Sequence, residues 1–268
     1  MPEFHGWGGA ALVTGATSGI GLELARALAE RAFDLILVAR SQDKLERVAE
    51  RLTTMQKVRV WPVRADLSRD DGPLGLMDSI RGIEVDVDVL VNDAAFGIYG
   101  PFANRGPERE AEMIHLNVLA PTELAARLLP GMIRRRRGLI LNVASTAGFA
   151  PVPLLGTYAA TKAYLIHWTH ALDEELTGTG VRAAVLCPGS TATNFHNVSG
   201  GSAHQSSPFP RQSPVDVAKE CLRGLDRGKR VIVSGPLNRL HAGFASAIPR
   251  SWAARLGRIV LGRRAGSA

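Results

Sequence analysis

An α/β sandwich, with helices covering both faces of a seven-stranded parallel sheet, is the fold this sequence predicts. Seven apolar runs of strand composition recur along the 268 residues, and stretches of helical periodicity separate most of them. Such alternation produces βαβ units, whose crossovers make neighbouring strands parallel. Runs such as Leu35-Ile36-Leu37-Val38-Ala39 are apolar without interruption, so both faces of the strand must be covered.

In chain order the strands are expected at 10–13, 35–39, 58–63, 85–91, 139–143, 181–186 and 231–233, and the helices at 20–31, 43–52, 108–137, 158–176 and 214–225. The run 134–137, four consecutive arginines, is expected to be the solvated last turn of the long third helix, where cations complement the dipole. A polar stretch, 194–213, holds Gly200, Gly201, Pro208 and Pro210 and is expected to be a mobile loop. The alternation ends near residue 235, giving a single domain over 1–235 and a basic amphipathic tail over 236–268. Pro249 splits that tail into two helices. In the second, Trp252, Leu256 and Ile259 form an apolar stripe beside Arg255, Arg258, Arg263 and Arg264. The pattern suits packing on the domain or a partner subunit, or peripheral contact with an anionic membrane surface.

Composition excludes several classes. Net charge is +7, but residues 221–268 hold ten Lys/Arg against one acid, Asp226, which leaves the first 220 residues slightly acidic. A basic tail on such a body offers no groove-reading element, so no nucleic acid partner is expected. No window approaches the ~18–20 apolar residues of a membrane span. The first nine residues lack the basic cluster and apolar run of a secretory signal, and a cytoplasmic chain is expected. Cys187 and Cys221 are expected to be unrelated reduced thiols. No metal site is expected.

The first strand runs directly into Thr14-Gly15-Ala16-Thr17-Ser18-Gly19-Ile20-Gly21 and then a helix. Gly15, Gly19 and Gly21 let a pyrophosphate approach the backbone amides and the helix N-terminus, with Thr17, Ser18 and Ile20 completing the turn. A dinucleotide is the expected ligand. Where an NAD-binding chain places an acid after the second strand, this one has Arg40 and Ser41. Arg40 can pair with a 2′-phosphate while Ser41 adds a hydroxyl, which favours NADP(H), with NAD(H) as the second choice.

Tyr158 and Lys162 stand four apart in a helix and share one face. The ammonium is expected to favour the phenolate and lower the phenol's pKa, fitting Tyr158 for proton transfer to or from a carbonyl oxygen. Ser145, at the end of the fifth strand, is placed to donate a hydrogen bond to that oxygen.

These motifs resemble the short-chain dehydrogenase/reductase family, and the likeness runs from Ala10 to about Val233. The glycine turn, Asp66 with Leu67, Asn92-Asp93-Ala94-Ala95, Asn117, Ser145, the Tyr158-x-x-x-Lys162 pair and Pro188-Gly189 follow the family's motifs in order and spacing. The resemblance implies a Rossmann-like sheet ordered 3-2-1-4-5-6-7 and a catalytic set of Asn117, Ser145, Tyr158 and Lys162. It implies that Lys162 also holds the nicotinamide ribose and that Asn117 holds a water linking Lys162 to solvent. It adds Asp66, Leu67, Asn92, Ala94, Pro188, Gly189 and Thr191 to the cofactor contacts. A homodimer or homotetramer pairing through the helices of Asn117 and Tyr158 is also implied. This chain departs from the family at Asp93 (Asn there), Ala95 (Gly) and Thr161 (Ser); a carboxylate at 93, if buried, needs a donor.

The expected substrate walls are 96–102, 146–155 and the loop after Thr191. Their lining of Phe96, Ile98, Tyr99, Phe102, Phe149, Val152, Leu154, Leu155 and Phe195 suits an apolar ketone, aldehyde, steroid or acyl derivative, although part of it could serve as core or oligomer contact. Two alternatives stay open at this level: an NAD-dependent alcohol dehydrogenase and a non-catalytic dinucleotide-sensing scaffold.

Overall fold

The computed structural model describes residues 8–193 and 211–265, with side chains described through residue 259. Phe195, most of the stretch expected to be a loop and the side chains of Arg263 and Arg264 lie outside the described residues.

The seven strands are β1 (Ala10–Thr14), β2 (Asp34–Ala39), β3 (Val60–Arg64), β4 (Val87–Asn92), β5 (Gly138–Val143), β6 (Val181–Cys187) and β7 (Val231–Val233). All pair in parallel, in the expected order β3-β2-β1-β4-β5-β6-β7. Alternate side chains of each strand feed opposite cores. On one face Ala11, Val13, Leu35 and Leu37 pack with α1 (Gly19–Ala29), α2 (Gln42–Gln56) and α7 (Pro214–Asp226). On the other, Ala10, Leu12, Ile36 and Val38 pack with α3 (Gly72–Ile80), α5 (Ala120–Arg134) and α6 (Gly156–Glu175).

Three differences from expectation have physical causes. Helix α3 was not foreseen: its nine residues, GPLGLMDSI, include two glycines and a proline, and only Pro73, Leu76 and Ile80 are buried. The strand expected to start at Val85 begins at Val87, because Val85 N–H closes a turn onto Ile83 O. The helix expected over 108–137 is α4 (Pro107–Ile114) and α5 joined by one π turn, His115–Leu119. Pro121 has no N–H to give the carbonyl of Asn117 four residues earlier, so the register widens there. The tail forms α8 (Pro236–Ala247) and α9 (Arg250–Ala265), parted at Pro249.

Strand order reverses between β1 and β4, opening the crevice at the strands' C-terminal ends where α/β sheets take ligands. Thr14 ties the crevice together: its hydroxyl accepts from Asp93 and Ala94 N–H (3.1 Å each) and donates to Val91 O (3.3 Å).

Candidate active site

The glycine turn caps this crevice. Gly15 and Gly19 have φ of +71° and +60°, and a Cβ on Gly21 would lie 2.6 Å from Asp93 Oδ2 and 2.7 Å from Gly15 O. Ser18, exposed at the N-cap of α1 between Thr17 and Ile20, makes no side-chain capping bond, so the first amides of the helix remain available to phosphate oxygens. Arg40 is exposed and Ser41 half-buried at the end of β2, while Leu67 is buried. Burial pushes the Asp66 carboxyl up, but hydrogen bonds from the Ser68 hydroxyl (2.6 Å) and N–H (3.1 Å), with the charges of Arg40 and Arg69, hold it below the ordinary carboxylate value. The residues expected at the adenine and at the 2′-phosphate thus gather at one end. This donor set fits a dinucleotide.

At the other end β5 delivers Ser145, and α6 brings Tyr158 and Lys162 beneath it. The Tyr158 and Ser145 hydroxyls are hydrogen-bonded. Lys162 Nζ donates to Val143 O (2.8 Å) and sits 5.8 Å from the centroid of the Tyr158 ring. Asn117, 1% exposed in the π turn, accepts from Phe96 N–H (3.2 Å) and donates to Phe96 O (2.9 Å) and the Thr161 hydroxyl (3.1 Å). The Thr161 hydroxyl in turn donates to Tyr158 O (2.7 Å), so the threonine that stands where the family has serine keeps the hydroxyl and links Asn117 to the tyrosine's helical turn. A cavity of about 10 Å³, room for one water, lies among Asn92, Asn117 and Lys162.

Electrostatics here differ from expectation. Burial drives the Tyr158 phenol up to about 12; the Ser145 hydrogen bond opposes this, and the Asp93 carboxylate adds to it. The lowering expected from Lys162 is not what the site shows, because burial of the phenol itself is the largest effect. Lys162 falls to about 8 through burial, with Asp93 and Cys187 pulling it back up. Asp93 turns its carboxylate inward onto the glycine turn and accepts from Gly21 N–H; burial lifts it to about 7 against the pull of Lys162.

A buried amide ladder runs behind these groups: Asn92 donates to Asn142 (2.8 Å), and Asn142 to Thr169 (2.8 Å). Pro188 O accepts from Thr146 N–H (2.9 Å), fixing the Pro188-Gly189 turn to the segment after Ser145. Thr191 is buried with its hydroxyl on Gly189 O (3.1 Å), while the side chain of Thr193 lies over Gly19. Ala94 lines the crevice beside Asn92.

The short chain dehydrogenase family profile matches residues 9–201. The chain belongs to that family. A very-long-chain 3-oxoacyl-CoA reductase of Phaeosphaeria nodorum is 39% identical over 177 residues, 64% of this chain and 51% of its own length. The reductase of the same name in Bos taurus is 30% identical over 247 residues, 90% of this chain and 76% of its own. A solved short-chain dehydrogenase from Sphingobium yanoikuyae in complex with NADPH superposes with a TM-score of 0.80 at 30% identity, covering 92% of this chain and 98% of that one. The chain spans roughly half to three-fifths of the length of the first curated relatives it matches.

The expected substrate walls separate into two groups. Phe96, Leu155 and Tyr158 form a buried cluster with Met113, and Ile98, Tyr99 and Val152 pack against it. Phe102 instead stands 71% exposed, and Phe149 packs with Leu165 and Ile166 in the core. Sequence reasoning missed Arg105. Its guanidinium, 5% exposed, pairs with Glu110 (2.9 Å; 10% exposed) and donates to both Gly100 O and Leu154 O, clamping the 96–102 wall to the 146–155 wall. A charged pair five residues apart at the start of a helix carries no motif, and Glu108 stands nearer to Arg105 in the sequence than its partner Glu110 does.

Proposed function

We propose that this chain reduces the carbonyl of an apolar, acyl-type substrate with NADPH, Tyr158 delivering the proton. The observation that carries the reading is a tyrosine hydroxyl bonded to Ser145 at the rim of an apolar cluster, with Lys162 on the same helical face. A phenol held near 12 is protonated throughout the neutral range, so it carries the proton that a developing alkoxide takes up. Ser145 orients the substrate oxygen and stabilises its growing charge. Lys162 adds positive potential beside the phenol, and the cavity by Asn117 gives the water expected there a place from which Lys162 is reprotonated.

Gly15, Thr17, Ser18, Gly19, Ile20 and Gly21 would hold the diphosphate, Arg40 and Ser41 the 2′-phosphate, and Asp66 with Leu67 the adenine. Asn92, Ala94, Pro188, Gly189 and Thr191, with Tyr158 and Lys162, would line the nicotinamide end. When bound, NADPH supplies the hydride. The absence of an acid at 40 and 41, together with the NADPH in the Sphingobium structure, supports the phosphorylated cofactor. The relatives' names support a 3-oxoacyl thioester as the substrate class. Exposed Ile114, Leu119, Ile133 and Tyr164 on α4, the π turn, α5 and α6 support pairing of two copies through those elements.

The test follows loss of NADPH absorbance with 3-oxoacyl-CoA esters of increasing chain length. Tyr158→Phe is expected to lower kcat/KM by about 10²–10⁴; equal nonzero rates for the variant and wild type would sink the mechanism. Dissociation constants for NADPH and NADH check the cofactor, and Arg40→Asp is expected to weaken NADPH alone.

A further inference from the structure

Six of the fourteen large apolar side chains that stand exposed among the described residues fall between Leu237 and Ile259, less than a tenth of the chain. They form two stripes at helical spacing: Leu237, Leu240 and Phe244 on α8, and Trp252, Leu256 and Ile259 on α9. Leu240, Phe244 and Trp252 are 73%, 62% and 64% exposed. The opposite faces of both helices are already used. Asn238, Ala242 and Ala245 bury the inner face of α8, and Ala253 that of α9, where a Cβ on Gly257 would lie 2.9 Å from Pro153. Arg250 donates to Phe149 O. The tail therefore rests on the 146–155 wall by its small residues and turns its large ones outward.

From these observations we infer that α8 and α9 dock the enzyme on an anionic lipid bilayer. Residues 236–268 contain six arginines and no acid. Arg255 and Arg258 are exposed and make no ion pair among the described residues, and Arg255 stands within the Trp252–Ile259 stripe. Arginines set among large apolar side chains match the boundary between acyl chains and anionic headgroups, which satisfies both at once. A second copy of this chain fits poorly. An isologous pairing would bring the arginines of both copies together with no carboxylate in either segment to answer them. A soluble acidic partner would answer the charge and leave the apolar stripes in water. Docking through these helices would hold the 146–155 wall, and with it the approach to Tyr158, near the membrane surface. The inference is independent of the reaction assigned above.

The experiment is flotation of the full chain with vesicles of pure phosphatidylcholine or of phosphatidylcholine mixed with phosphatidylserine, with sedimentation velocity alongside. Binding to the mixed vesicles alone is expected, falling by about tenfold or more in Arg255→Glu/Arg258→Glu and in Trp252→Ser/Leu256→Ser. Reduction of a water-soluble carbonyl substrate should stay at the wild-type rate in both variants, which replace only exposed side chains. Equal flotation of wild type and both variants, or no flotation with either vesicle, overturns the proposal. So does a lipid-free dimer that the Trp252→Ser/Leu256→Ser variant dissociates, since the stripes would then belong to a subunit interface.

Discussion

Strand β4 carries a carboxylate at each end, and the two are treated in opposite ways. Asp88, near its start, has no exposed side-chain surface and meets Arg135 Nη2 at 3.3 Å and Arg137 Nε at 2.8 Å. Asp93, one residue past its end, has only a glycine N–H and the more distant field of Lys162. Burial pushes both carboxyls upward, but at Asp88 two guanidiniums pull back, while Asp93 stays near 7. The lower end of the sheet pairs its buried charge, as a structural site must. The upper end leaves one incompletely compensated near Lys162 and Tyr158, the groups proposed to react, and strongly perturbed ionisation concentrates at such sites in enzymes.

If that contrast is right, substitutions at the two ends should separate activity from stability. Of the substitutions at the two ends the largest effect is expected from Ser145→Ala: kcat falling by about 10²–10³, at a stability cost of no more than about 1 kcal/mol for the cap its hydroxyl makes to Ala147 N–H. Asp88→Asn should do the reverse, costing about 2 kcal/mol in urea unfolding while kcat/KM stays at the wild-type value. A catalytic defect in a stable Asp88→Asn protein would break the comparison. Arg105→Met lies between the two, because it frees the walls without touching the reacting groups. KM for a long acyl substrate should rise by about tenfold with a smaller change in kcat, since an alignment loss of one weakened clamp is of that order.

Asp93→Asn gives the subtlest change and the sharpest one. The folded carboxyl near 7 lies above its ordinary 3.8, so its contribution to stability is complete below about 3.8 and is lost as pH rises toward 7. The asparagine variant lacks that loss. Thermal midpoints measured across this window should move in the variant's favour as pH increases; a constant offset would show that Asp93 does not titrate there. Because Asp93 also holds the Lys162 pKa up, the alkaline limb of the reduction rate should move to lower pH in the variant.

The sheet was legible because buried parallel strands leave apolar runs, unbroken in 35–39 and interrupted only by Asn142 in 139–143, and the glycine turn because its context of strand before and helix after is local. What escaped is long-range or register-dependent. Arg135 and Arg137 look like a solvated helix end until the fold brings Asp88, 47 residues upstream of Arg135, against them. The π turn depends on which carbonyl loses its donor to Pro121, a property of helical register that periodicity averages away. The Tyr158–Lys162 spacing was readable, but the sign of the phenol's shift was not, since spacing does not report how much water the fold removes.

Gly189 and Asn238 interlock: a Cβ at 189 would lie 2.3 Å from the Asn238 amide nitrogen, which itself donates to Ser234 O at 2.7 Å. A chimera that grafts a relative's terminus onto this core must therefore cut beyond residue 238 or import the matching amide along with it. Grafts joined ahead of it would unseat the Pro188-Gly189 corner, and so alter catalysis without changing any residue that touches a ligand.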